Sequence, residues 1–183
     1  MFLKLDSTVI TYSGKQADSG KVVYNTLTVP AGGEYRLVLS DGTKVWMNAD
    51  SKLKYPVAFG QSQREVFLEG EAYFKVKSNP RWPMYITCKN NVVVQVVGTE
   101  FNLTTYANDD NIKLLLVSGK LDILDPNNKR VIKVQQNEEV TIYDLSEAIP
   151  EKGCPVIYNS IAWKEGLLIF DNTLMSEVCL LYT

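Results

Sequence analysis

LVLSDGTKVWMNADS, residues Leu37 to Ser51, sets an Asp-Gly step between two apolar arms. Before the step, Tyr35, Leu37 and Leu39 alternate with polar or smaller neighbours. After it, Val45 and Met47 alternate with Lys44, Trp46 and Asn48. Period-two alternation is the strand signature, because successive strand side chains point to opposite faces. Parity then sets the loop length. A two-residue loop of Asp41 and Gly42 would place Leu37 opposite Trp46 and split the aliphatic rows between faces. A three-residue loop of Ser40, Asp41 and Gly42 pairs Leu39 with Thr43, Leu37 with Val45 and Tyr35 with Met47, so one face is apolar throughout. That loop needs Gly42 in the left-handed region, where glycine has no Cβ penalty. The stretch predicts a bulged hairpin, the corner of a sheet.

The same alternation recurs on both sides of this hairpin. VVYNTLTV, REVFLE, EAYFKVK, NVVVQVV, EFNLTTY, NIKLLLV, KLDIL, KRVIKV and EVTIYD are strand-like and lie between turn signals such as Pro30–Gly33, Gly70, Gly98, Asn108–Asn111 and Asp125–Asn128. Short strands at such spacing predict an all-β domain. At Ser118-Gly119, a two-residue loop would pair Leu116 with Leu121 and Leu114 with Ile123, predicting a second hairpin. Val66, Leu68, Ala72, Phe74 and Val76 share one parity across Gly70, which therefore reads as a bend in one ribbon. Pro150, Gly153 and Pro155 bracket a linker-like stretch. After it come a short strand, Leu167 to Phe170, and a helix capped by Asn172 or Thr173, with Leu174, Val178 and Leu181 as its apolar stripe.

The chain has 183 residues, 45% of them hydrophobic, enough for one domain with a core. Lys+Arg of 19 against Asp+Glu of 21 gives a formal charge of -2, and neither sign clusters. The basic stripe of a nucleic-acid reader is not visible, nor is a polybasic membrane patch. No apolar run reaches the roughly 20 residues of a membrane span, and MFLKLDSTVITYSG lacks a secretory pattern. The chain is thus expected to be soluble. It holds 0 histidines, which excludes Ser-His-Asp and Cys-His catalysis and any histidine-ligated metal. Cys88, Cys154 and Cys179 lack zinc or redox spacing and read as small hydrophobes, with one unplaced disulfide left open.

Several groups can be weighed for chemistry. Glu69 and Glu71 flank Gly70 on one strand face and could form a hydrolase carboxylate pair. The plainer reading is a solvated strand edge with Arg64 nearby as counter-ion. Asp109 and Asp110 in ANDDN could hold Ca²⁺, but their spacing matches no calcium loop, and both this stretch and LDPNNKR read as polar turns. Trp46, Trp82 and Trp163 could stack on sugars, against ordinary core and rim packing. No catalytic, cofactor-binding or metal residue is assigned.

The ordered set YNTLTVPAGGEYRLVLSDGTKVWMNADSKLKYPVAF, REVFLEGEAYFKVK, VVGTEFNLTTY, LLVSGKLDI and WKEGLLIFDNTLMSEV resembles the FecR family of anti-sigma regulators, in its periplasmic region, over roughly Met1 to Tyr182. The resemblance implies a non-enzymatic sensor without cofactors. Its β region, residues 1–149, would be a stacked, antiparallel, solenoid-like domain. Residues 150–183 would be a linker and the start of a truncated βαβ module like a receptor's signalling domain. The implied partner is the signalling domain of a TonB-dependent receptor, on the periplasmic side of the inner membrane. A sigma factor would be reached only through a cytoplasmic segment, and the membrane only through an upstream helix, both absent from this sequence. The expected partner surface is Trp163, Leu168, Phe170, Leu174, Val178 and Leu181, and self-association is left open. A carbohydrate-binding β module for glycan uptake is the alternative.

Overall fold

Parity decides which residues meet in the computed structural model, which describes residues 2–6, 9–13, 22–125, 127, 129–143, 148–152 and 161–167. The described strands are β1 (Phe2–Asp6), β2 (Val9–Ser13), β3 (Tyr24–Val29), β4 (Tyr35–Val38), β5 (Lys44–Met47), β6 (Ser51–Pro56), β7 (Arg64–Lys75) and β8 (Met84–Thr87). They continue as β9 (Val93–Val96), β10 (Glu100–Thr105), β11 (Ile112–Ser118), β12 (Leu121–Leu124), β13 (Arg130–Val134), β14 (Glu138–Ile142) and β15 (Ala148–Lys152). The region is all-β, as its alternation predicts.

The strands form two sheets that share β7. The upper sheet runs β1-β2-β4-β5-β7-β10-β11-β14-β15, and the lower runs β3-β6-β7-β8-β9-β12-β13. Pairs are antiparallel except β2 with β4 and β7 with β8, which are parallel. From β3 onward the chain passes repeatedly from one sheet to the other, which is the stacked arrangement expected from the family resemblance. The inward rows of both sheets meet in one core, with Leu37, Val45 and Phe74 from the upper sheet and Leu53, Val66 and Ile86 from the lower. Phe74 and Phe101 stack at 5.1 Å across neighbouring strands. Each such fully buried side chain contributes about 1.5–3 kcal/mol.

The opening hairpin forms as read. Leu37 faces Val45 and Tyr35 faces Met47, while Leu39 N–H donates to Thr43 O at 2.9 Å and Gly42 has φ +87°. Gly70 is the bend in β7. It has φ +99°, and a Cβ there would lie 2.6 Å from Ser51 Cα. Before Gly70, β7 pairs with β6 and β8. After it, β7 pairs with β5 and β10.

Two readings need correction. Ser118-Gly119 closes no hairpin, because β11 pairs with β10 and β14 while β12 pairs with β9 and β13. The chain changes sheets there. Leu114, Leu116, Leu121 and Ile123 share a parity because all four face the common core. The linker-like stretch contains β15, which pairs with β14 and sets Pro150 opposite Val140. Proline is tolerated there because β15 ends its sheet and one side of its backbone needs no partner. The start of the sequence, expected within the β domain, forms the β1–β2 hairpin.

Candidate functional site

On the upper sheet, the face turned away from the core carries one cross-strand row. Arg36 pairs with Trp46, Trp46 with Tyr73, Tyr73 with Asn102, and Asn102 with Leu115. An outer sheet face is normally wet. Here Tyr73 and Asn102 are 3% exposed and Leu115 is 2% exposed, although Tyr73 and Leu115 lie outside the core cluster. The middle of this face is therefore covered.

The 3-10 turn Ala162–Glu165 sits at the Trp46 end of the row. Its Lys164 ammonium lies 4.6 Å from the Tyr73 ring centre and 5.9 Å from that of Trp46. Those two rings meet edge to face at 5.6 Å. Trp163 joins Trp46, Glu34, Tyr35, Arg36 and Met47 around a cleft of about 230 Å³. Its indole N–H is buried and finds no acceptor among the described residues. Leu167 N–H closes the turn on Ala162 O at 3.1 Å, and the Leu167 side chain is exposed.

Charge organises this seat. Tyr73 donates its hydroxyl to Glu100 Oε2 at 3.0 Å, and Lys75 pairs with the same carboxylate. Burial pushes the Glu100 carboxyl up, but hydrogen bonds from Lys75 and Tyr73 and the charges of Lys75 and Lys164 outweigh it, so the group sits below its ordinary value. Burial raises the Tyr73 phenol, and the Glu100 carboxylate adds to the rise. A stack of this kind holds a neighbouring segment.

The sequence candidates fall in separate places. Of the expected partner residues, Trp163 lies in the cleft. Leu168, Phe170, Leu174, Val178 and Leu181, with the expected helix, lie outside the described residues. Trp46 and Trp163 come together, but Trp82 packs elsewhere, edge-on to Phe59 at 5.9 Å, with its indole donating to Gly60 O at 2.8 Å. Glu69 is exposed and pairs with Lys52 at 3.7 Å. Glu71 instead accepts from Asn48 and Asn102 side-chain amides at 2.7 Å each and from Thr104 at 3.2 Å, joining β7 to β10 and to the end of β5. The loop carrying Asp109 and Asp110 turns its Tyr106 and Asp109 carbonyls toward Lys89 Nζ, and both accept hydrogen bonds from it. Asp125 closes its own turn by accepting from the backbone N–H groups of Asn127 and Lys129 at 2.8 Å. Among the described residues, no cluster of three or more His, Cys, Asp or Glu could hold a metal, and no helix is long and apolar enough to cross a membrane.

Arg64 is not the counter-ion of Glu69 or Glu71. It lies five positions from Glu69, on the opposite strand parity, and so points inward. Its guanidinium donates to Asp41 Oδ2 at 2.7 Å, Lys77 O at 2.9 Å and Trp82 O at 2.9 Å. Asp41 also accepts from Thr43 N–H at 2.9 Å and Thr43 Oγ1–H at 2.7 Å. The aspartate of the opening turn thus serves more than backbone geometry, because it is half of a buried ion pair that ties the β4–β5 corner to the β7–β8 connection.

The FecR protein family model matches residues 25–122. Two crystal structures of a candidate anti-sigma factor from Parabacteroides distasonis ATCC 8503 superpose on the chain with TM-scores of 0.72 and 0.71. Each is 27% identical, and the match covers 85% and 84% of this chain and 71% of theirs. No functionally curated protein matches the chain.

Proposed function

The chain belongs to the FecR protein family of anti-sigma regulators, and from that premise we propose that it is the periplasmic sensing domain of a membrane-anchored regulator. The family is regulatory, and we assign the domain no catalytic step. It takes its signal from the signalling domain of a TonB-dependent outer-membrane receptor. It passes that signal to an extracytoplasmic-function sigma factor held by a cytoplasmic segment of the same regulator.

One observation carries this reading. The turn Ala162–Glu165 is seated on the covered outer face of the upper sheet by Lys164 against Tyr73 and Trp46. The segment proposed to meet the receptor, with Trp163, Leu168, Phe170, Leu174, Val178 and Leu181 as its contact residues, begins at that turn. Receptor contact and sheet contact then compete for one stretch of chain, and binding shifts the equilibrium between docked and released forms. A cation–aromatic contact contributes about 0.5–2 kcal/mol depending on desolvation. That range suits a switch, because one partner can overcome it.

The glycan-binding alternative needs an open aromatic face. Lys164 lies over the Trp46 and Tyr73 rings where a sugar would stack. Calorimetric titration with the receptor's signalling domain tests the proposal. Saturable one-to-one heat is expected, with Lys164→Ala binding up to about tenfold tighter because the competing seat is weakened. A folded chain that gives no heat, or a Lys164→Ala variant that binds more weakly, would count against it.

A further inference from the structure

The two sheets end in β1 and β15 above and in β3 and β13 below. An exposed edge offers unpaired backbone groups to any other chain, and proteins guard such edges with charges or proline. Three of these edges carry such residues. β1 contains Lys4 and Asp6, β13 contains Arg130 and Lys133, and β15 contains Pro150, Glu151 and Lys152. β3, YNTLTV, contains none of them. Its approach is also apolar, with Val22 45%, Val23 58% and Tyr24 38% exposed, the densest run of exposed large hydrophobic residues among those described.

Strand geometry tells which backbone groups of β3 are available. Val57 N–H donates to Val23 O at 2.9 Å, so Val23 turns its peptide groups toward β6. In an antiparallel ladder this alternates, and Asn25 and Leu27 face β6 as well. Tyr24, Thr26 and Thr28 therefore direct N–H and C=O to the outer edge, where no described strand pairs with β3.

We propose that β3 is a self-association edge, pairing antiparallel with β3 of a second copy about a two-fold axis at Thr26. In this register Thr26 faces Thr26, Tyr24 faces Thr28, Asn25 faces Leu27 and Val23 faces Val29. Inward residues meet inward residues, so the lower sheets and their cores run on from one copy to the next. The absence of charge favours a second copy over a charged partner. A two-fold contact lays the strand against its own copy, so any net charge on it would meet the same net charge, and this strand carries none. The nearest cations, Lys52 and Lys54, belong to β6, one strand in, with the Lys54 ammonium leaning back over the Tyr24 ring at 5.0 Å. Across the pair the two β6 strands stand about 14 Å apart, three strand spacings, and the two Tyr24 rings that Lys54 covers lie at opposite ends of the paired strands, also beyond the roughly 8 Å screening length at physiological salt.

This surface is separate from the proposed receptor segment on the upper sheet, so the two can fail independently. Sedimentation velocity on the whole chain, from micromolar to millimolar concentration, is the test. A reversible dimer is expected. Thr26→Pro deletes an outward N–H without touching the β6 ladder, and the two-fold counts the loss twice, so dimerisation should weaken about thirtyfold. Thr26→Lys, at an exposed position, sets like charges face to face and should weaken it too. Thr26→Val keeps the N–H and should leave the dimer intact. Far-UV circular dichroism confirms the fold of each variant, and Thr26→Lys decides the matter if Thr26→Pro fails to fold. A chain that stays monomeric throughout, or a dimer that Thr26→Lys leaves unchanged, overturns the proposal.

Discussion

Replacing Asp41 with alanine should be among the most damaging single changes in the β domain. Asp41 and Arg64 form an ion pair at 2.7 Å with side chains only 2% and 1% exposed. Arg64 Nη2 is already buried without a partner among the described residues. Removing the carboxylate leaves a buried guanidinium with no counter-charge, held by the carbonyls of Lys77 and Trp82 and by the Trp82 ring at 5.4 Å. Breaking a buried pair from one side costs about 3–5 kcal/mol, because the remaining charge is stranded. Thr43 loses two acceptor contacts as well, at about 1 kcal/mol each, although its Oγ1 still accepts from Lys77 N–H at 3.1 Å. A loss of about 5–7 kcal/mol is a large share of the 5–15 kcal/mol that typically separates folded from unfolded. At roughly 2–4 °C per kcal/mol for a chain of this size, the melting temperature should fall by about 10 °C or more. Urea unfolding followed by circular dichroism gives the free energy directly, provided the slope is unchanged. Lys52→Ala is the control. It breaks a pair at 3.7 Å whose side chains are half exposed, and should cost under about 1 kcal/mol. Adding Arg64→Met to Asp41→Ala should recover part of the loss, since no charge then remains buried. A loss under about 1 kcal/mol for Asp41→Ala, or strictly additive single and double variants, would refute the reasoning.

Three more outcomes follow from the same geometry. Gly70→Ala should cost about 3 kcal/mol or more, because positive φ is strained for alanine and the new Cβ meets Ser51 backbone at 2.6 Å. A thermal melt within a few degrees of wild type would contradict this. The Glu100 carboxyl is held below its ordinary value of 4.5, so its contribution to folding is present above that pH and is lost as pH falls through the lower folded value. Tryptophan fluorescence, reporting the Trp46–Trp163 cleft, should therefore change as pH falls below the ordinary carboxylate range and do so less in Glu100→Gln. A change of equal size in that variant would place the titration elsewhere. Burial pushes the Cys88 thiol up to about 12. Iodoacetamide at neutral pH should spare Cys88 until urea unfolds the chain, as peptide mass mapping can show. Alkylation of the folded protein at the rate of a free thiol would mean the site is open.

Local parity was legible in the sequence, and long-range partnership was not. The β4–β5 loop could be read because register, loop length and aliphatic row agreed within a dozen residues. Ser118-Gly119 gave the same agreement for a different reason. Two sheets facing one core impose a common inward parity on strands that never pair. Pro150 was read as an end to the sheet, yet it sits in an edge strand, where a missing N–H has little cost. Arg64 was misplaced by nearness in sequence to Glu69, although its own parity already pointed inward. Its partner Asp41 stands 23 residues away, and only the crossing of the sheets brings them together. The Lys164 seat was out of reach for the same reason. A lysine in WKEG gives no sign of the rings it will cover, whereas the ordered segments of the whole chain carry the family likeness plainly.

Hydrogen exchange with and without a saturating receptor signalling domain tests the proposed function most directly. The segment from Ala162 onward and the sheet positions Trp46, Tyr73 and Asn102 should be read together. The expected result is new protection after Trp163, with increased exchange on the outer face of the upper sheet as Lys164 leaves its seat. Saturated binding that leaves both regions unchanged would contradict the proposed receptor surface.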